Sequence, residues 1–163
     1  MEIKKLAEAL VIQSKYFKQL VICLERETGE LSNVNLEAMA ELNKEKEDIA
    51  SRIESHTEPL KKALIDVIQR EGLDHEITLG DLAVILKKKG NLEITRLYSE
   101  LKQLADRNRQ LLVLNKEIAE RFAESVGSTI EILTRVVNQS NFYGSSGGYQ
   151  QRTTGSVLIN REA

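Results

Sequence analysis

The side chains that could do chemistry beyond packing are few: two histidines, one cysteine and the carboxylates. His56 and His75 are the only histidines. Neither stands in a Glu-x-x-His or His-x-x-x-His arrangement, so no helical turn brings several ligands to one metal. His56, in "SHTEP", lies beside the single proline, Pro59. A histidine at such a break in a helical bundle is a candidate for phosphotransfer, against which stands a plain loop or capping role. Cys23 is the only cysteine, so no intrachain disulfide can form. Its setting, "LVICLE", puts it on or beside an apolar helix face, as a small buried hydrophobe rather than a reactive thiol. Gly144, Gly147, Gly148 and Gly155 make no phosphate loop, because no strand precedes them and no Gly-Lys-Ser/Thr comes after them. No Gly-x-Ser-x-Gly elbow in a suitable setting appears. These residues point away from catalysis, and no metal or cofactor is expected.

The chemistry that remains is that of contact between helices. In "DRNRQLLVLNKEI", Asn108 and Asn115 stand one heptad apart on a seam that also carries Leu97, Leu101, Leu104, Leu111, Ile118 and Phe122 at alternating spacings of four and three. One reading is register control, since a buried asparagine costs stability but specifies pairing. The other is that both meet a polar or exchangeable partner helix. Leu112 and Leu114 add apolar surface beside the seam. Beyond Phe122 the stripe drifts to Val126, Ile130, Leu133 and Val137, which could be core or, if uncovered, a face for a partner helix.

Behind these residues stand the elements that must position them. The 163 residues are 41% hydrophobic and only 4% aromatic, with no Trp, a composition suited to long helices. The net charge of −2 and a pI near 5.8 leave no basic face for a phosphate backbone, so nucleic acid is not an expected partner. Acidic and basic residues alternate on the polar faces, as in "ELNKEKEDIASRIE", which is solvated surface with i,i+4 pairs. No apolar run approaches the ~20 residues that span a bilayer, and the N-terminus enters a helical pattern directly. A cytoplasmic protein without membrane insertion is expected.

Ile3, Leu6, Leu10, Phe17, Leu20 and Leu24 predict a first helix over about 2–27, with Gly29 as its stop signal. Asn35 caps a second helix carrying Leu36, Met39, Leu42, Ile49 and Ile53. Pro59 either kinks that helix or divides it, with Thr57 able to cap a further helical segment up to Gly72. Thr78 and Asp81 predict a short helix to about residue 89, ended by Gly90. From Asn91 to about Ser140 there is no proline and one glycine, Gly127, giving a helix of up to ~50 residues. The expected fold is all-α: an antiparallel helical bundle over 1–143 with a very long, coiled-coil-like C-terminal helix. A Gly/Ser-rich flexible tail is expected over 144–163, with Val157, Leu158 and Ile159 near its end.

The order of "LVICLERETGEL", "LEAMAELNKEKEDIASRI", "LADRNRQLLVLNKEIAERF", "FYGSSGGY" and the closing "LINREA" resembles FlgN, the flagellar export chaperone family. The resemblance covers nearly the whole chain and departs from many relatives in the stretch "LDHEITLGDLAVILKKKG". It implies a cytoplasmic, non-enzymatic chaperone that holds hook-associated, hook-filament junction proteins unassembled and delivers them to the flagellar type III export gate. It also implies that cargo binds mainly in the C-terminal half. With the seam added, the candidate partner-binding residues are Asn108, Leu111, Leu112, Asn115, Ile118, Phe122, Val126, Ile130, Leu133, Val137, Tyr143 and Gly144. A structural coiled-coil adaptor or self-assembling bundle, paired with its own copy as a homodimer, is the alternative.

Overall fold

The computed structural model describes residues 1–74 and 76–140, with side chains to residue 137. These residues form four helices: α1 (Glu2–Asn33), α2 (Leu36–Arg70), α3 (Leu79–Lys88) and α4 (Leu92–Ser140). No strand occurs among them. The chain falls into two compact units, Met1–Glu120 and Arg121–Ala163. The expected boundary at 143/144, and the tail beyond it, lie outside the described residues.

In the first unit, the partners show how the helices run. Between α1 and α2 the paired numbers move in opposite senses, from Glu2 with Arg70, through Gln13 with His56, to Arg26 with Glu45. These two helices are antiparallel. Between α1 and α4 the numbers rise together: Lys18 with Glu100 and Glu25 with Arg107, Phe17 with Asn108 and Leu24 with Asn115. The bundle is therefore up, down and up, with α3 in the return, and α4 takes the direction of α1. Two sets of contacts repeat at one-heptad intervals, which is what a sustained 3.5-residue pattern on both helices requires.

The core is layered. Leu6, Leu10, Val67, Ile68, Leu82, Leu86, Ile94 and Leu97 make one apolar cluster from all four helices. Cys23, Leu42 and Ile49 make a second, with Leu20 and Ile53 against it. The Cys23 thiol is buried, and burial pushes its pKa up, as expected of a packed hydrophobe. Between the clusters in sequence, Gln13 and Ser14 are buried polar side chains of α1, and Gln13 meets His56 of α2.

Local signals place most ends. The Asn35 side chain accepts from Ala38 N at 3.2 Å at the start of α2. Thr78 and Asp81 form a full capping box for α3, and the Thr78 hydroxyl holds the Asp81 carboxyl below its ordinary pKa. Gly72 and Gly90 both take positive φ in the turns after α2 and α3. Gly80 has a packing reason, since a Cβ there would lie 2.8 Å from the Tyr98 hydroxyl. The short helix is thereby seated directly against α4.

Two expectations need correction. Gly29 does not end α1: the helix continues to Asn33 because Leu31 is still buried one half-turn later. The stop falls instead at Val34, which takes the left-handed conformation and closes the carbonyls of Glu30 and Leu31. Nor does Thr57 begin a new helix. Pro59 lies inside an unbroken α2, and the Thr57 hydroxyl donates back to Ile53 O at 3.0 Å. Proline removes the amide that would meet the Ser55 carbonyl, but Ser55 and Pro59 are both exposed, so water can take that place.

Candidate functional site

In the first unit, α4 presents two sides. Ile94, Leu97, Asn108, Leu111 and Asn115 are buried, whereas Leu112, Val113 and Leu114 are exposed and Ile118 is half-buried. Asn115 is held from three directions: Nδ2 donates to Leu24 O at 3.0 Å and to Glu27 Oε2 at 2.8 Å, and Oδ1 accepts from the Thr28 hydroxyl at 2.6 Å. Glu27, itself buried, is also paired with Lys46 of α2. Asn115 therefore sits in a satisfied cluster that ties three helices together. Asn108 is different. Its Nδ2 donates to Phe17 O at 3.1 Å, but its Oδ1 is buried without a partner, as are Ser14 Oγ and Gln19 Oε1.

Both asparagines are buried within the bundle and bonded to α1. The seam spacing marked them as members of a pairing side without saying which helix they meet. Their specific partners, Glu27, Thr28 and Lys46, carried no signal of their own, because each reads as an ordinary member of a charged or polar helix face.

In the second unit, α4 carries Phe122, Val126, Ile130 and Leu133 at 40%, 41%, 53% and 59% exposure. Val137 is exposed too. At about 100° per residue these five fall within about 80° of one another, and the exposed Val136 and Ile132 widen the surface to about 160°. Glu124, Glu131 and Arg135 occupy the opposite side. The helix is amphipathic there, with Phe122, Val126, Ile130 and Leu133 exposed among the described residues, and Ile132 and Val136 are members that a strict three-four seam leaves out. Tyr143 and Gly144 lie outside the described residues.

His56 is half-buried on α2, with Nδ1 2.8 Å from Gln13 Oε1 and its ring edge-on to Tyr16 at 5.9 Å. Burial lowers its pKa from 6.5. It lines an open groove of about 340 Å³ between α1 and α2 with Lys5, Glu8, Ile12, Pro59, Lys62 and Asp66. The ring is used as a polar tie between two helices. Among the described residues, no three His, Cys, Asp or Glu side chains gather as a metal site, and no helix is long and apolar enough to cross a membrane. Among the described residues, the most extended exposed apolar surface is the Phe122–Val137 side of α4.

Comparison with known proteins agrees with that description. The family model for FlgN protein matches residues 1–151. No curated protein and no solved structure matches the chain. The match takes in all four helices, the buried asparagine seam and the exposed stripe alike, and on it the chain belongs to the FlgN family of flagellar export chaperones.

Proposed function

We propose that this chain acts in the cytoplasm as a non-enzymatic chaperone for hook-associated, hook-filament junction proteins, and that it delivers them unassembled to the flagellar type III export gate. The observation that carries this reading is the apolar side of α4 from Phe122 to Val137, exposed along its length on a helix of 49 residues. Proteins that assemble through terminal helices expose apolar stripes before assembly. A chaperone helix with a stripe of its own can satisfy them reversibly. Phe122, Val126, Ile130, Leu133 and Val137 are the proposed contact residues of the second unit, and Leu112 and Ile118 are proposed in the first; Tyr143 and Gly144 are also proposed and lie outside the described residues. Asn108, Leu111 and Asn115 support them from within the bundle by fixing how α4 is held on α1.

The test is co-expression with each junction protein encoded beside the chain, then purification through a tag on either partner. A stable heterocomplex at fixed stoichiometry is expected with at least one of them. Failure with every one, together with a homodimer that persists when they are added, would favour the self-assembling alternative and overturn the proposal.

A further inference from the structure

We infer that a second copy of this chain is the resting occupant of the exposed side of α4: the two helices lie antiparallel over residues 122–136, with Thr129 of each copy at the centre. The pairing itself does not depend on the chaperone reading. Its consequence rests on that reading, since a copy seated there must leave before cargo can take the same side.

Three features support it. The first is that this side is its own match when reversed. Phe122, Val126, Thr129, Leu133 and Val136, all exposed, share about 80° of α4, and Ile130 and Ile132 flank them. Phe122 stands seven residues before Thr129 and Val136 seven after it, while Val126 stands three before and Leu133 four after. An antiparallel copy centred on Thr129 therefore sets Phe122 against Val136 and Val126 against Leu133. Each of these layers joins a larger side chain to a smaller one. A parallel copy would stack Phe122 on Phe122 and Val126 on Val126, leaving one layer overfull and the next underfilled.

The second is charge. Glu124, Glu131 and Arg135 lie on the opposite side of the helix, so a second copy brings no charge into the contact and leaves none unpaired there. The third is area. At the exposures observed, Phe122, Val126, Ile130, Ile132, Leu133 and Val136 leave about 500 Å² of mostly apolar surface per copy, or about 1,000 Å² for the pair. That reaches the lower bound of a specific interface and belongs to the weak, reversible class. A pair of micromolar strength covers the side in concentrated protein. It releases it on dilution, or to a partner that buries more apolar area.

Sedimentation of the full chain from about 1 to about 200 µM is expected to show monomer passing into dimer. Ile130→Asp is expected to raise the dissociation constant about tenfold or more, with the helical circular dichroism signal unchanged. Orientation is read from cysteine variants oxidised at the higher concentration, with free thiols alkylated before denaturation because the native Cys23 is buried. Thr129→Cys is expected to cross-link to its own copy. Phe122→Cys and Val136→Cys should cross-link to each other when mixed and not alone, because in the antiparallel pair each lies about 20 Å from its own counterpart, beyond the reach of a disulfide. Efficient cross-linking of Phe122→Cys alone would mean a parallel pair. A chain that stays monomeric throughout would mean that no second copy is seated, and a dimer untouched by Ile130→Asp that it forms elsewhere. Each of these results overturns the inference. No readout uses cargo, so the inference can fail while the chaperone reading stands, and the reverse also holds.

Discussion

Asn115 donates to a carbonyl of α1 and to the buried Glu27 carboxylate, and accepts from Thr28. Replacing it by Leu leaves Glu27 short of a donor in a buried place, a loss of about 1–3 kcal/mol. Asn108 makes one bond to a carbonyl already inside a helix and leaves its own oxygen unmatched. Asn108→Leu is therefore expected to be neutral or stabilising by up to about 1 kcal/mol. Urea midpoints of the two variants check the contrast, and equal losses would contradict it. His56 gives a pH test. Burial lowers its folded pKa below the ordinary 6.5, so the folded chain binds the proton less readily than the unfolded one. Its contribution is present above pH 6.5 and lost as pH falls through the folded value. The unfolding midpoint should drop between about pH 7.5 and 5.5, and less steeply in His56→Gln, which keeps a polar partner for Gln13. Glu2, Asp81 and Glu100 have lowered values too, held down by the Glu2 backbone amide, the Thr78 hydroxyl and Lys18 respectively. Their stability is lost only as pH falls below the ordinary carboxylate range near 4.5, outside the histidine window.

At the level of elements, the α1–α2 turn carries a strained residue. Val34 has φ 55, a left-handed conformation in which a β-branched side chain crowds its own backbone. The strain persists because α1 must run on to bury Leu31 while Asn35 must cap α2, leaving Val34 as the single residue between the two demands. Its side chain is exposed, so little packing is lost on removing it. Val34→Gly is expected to stabilise the chain by about 0.5–1 kcal/mol, read as a rise in thermal midpoint, and a fall would show that the valine side chain packs more than its exposure implies. Pro59 shows the opposite outcome. Neighbouring turns of α2 hold Val67, Ile68 and Ala63 on the core side, and that packing carries the helix through a residue that ends most isolated ones.

For the molecule as a whole, the division of α4 into a packed part and an exposed part makes stability and binding separable. Val126→Asp and Ile130→Asp place a charge on an exposed surface, so helical content and the denaturation midpoint should stay within about 0.5 kcal/mol of the parent. Capture of a junction protein should weaken tenfold or more, since each tenfold is about 1.4 kcal/mol and the charge would be buried without a partner in the complex. Circular dichroism beside a binding curve separates the two effects. A joint fall of both would mean that these side chains belong to the folded core.

The all-α class, the very long C-terminal helix and most of the helix ends were legible in the order of residues alone. They depend on neighbours a few residues apart: Asn35 and Thr78 accept amides within their own first turns, and Gly72 and Gly90 supply positive φ locally. Gly29 and Pro59 misled because their local preferences were outweighed by burial of Leu31 and by the core side of α2, which no short window contains. The seam through Asn108 and Asn115 was equally legible as a pattern. Which part of that pattern is covered emerged only from the packing of the helices. Ile94, Leu97 and Leu111 are buried, and Phe122, Val126, Ile130 and Leu133 are exposed, although all lie on one helix with the same spacing. Periodicity fixes the angle at which a side chain leaves its helix, and a covering neighbour supplied from far along the chain fixes whether it meets protein or water.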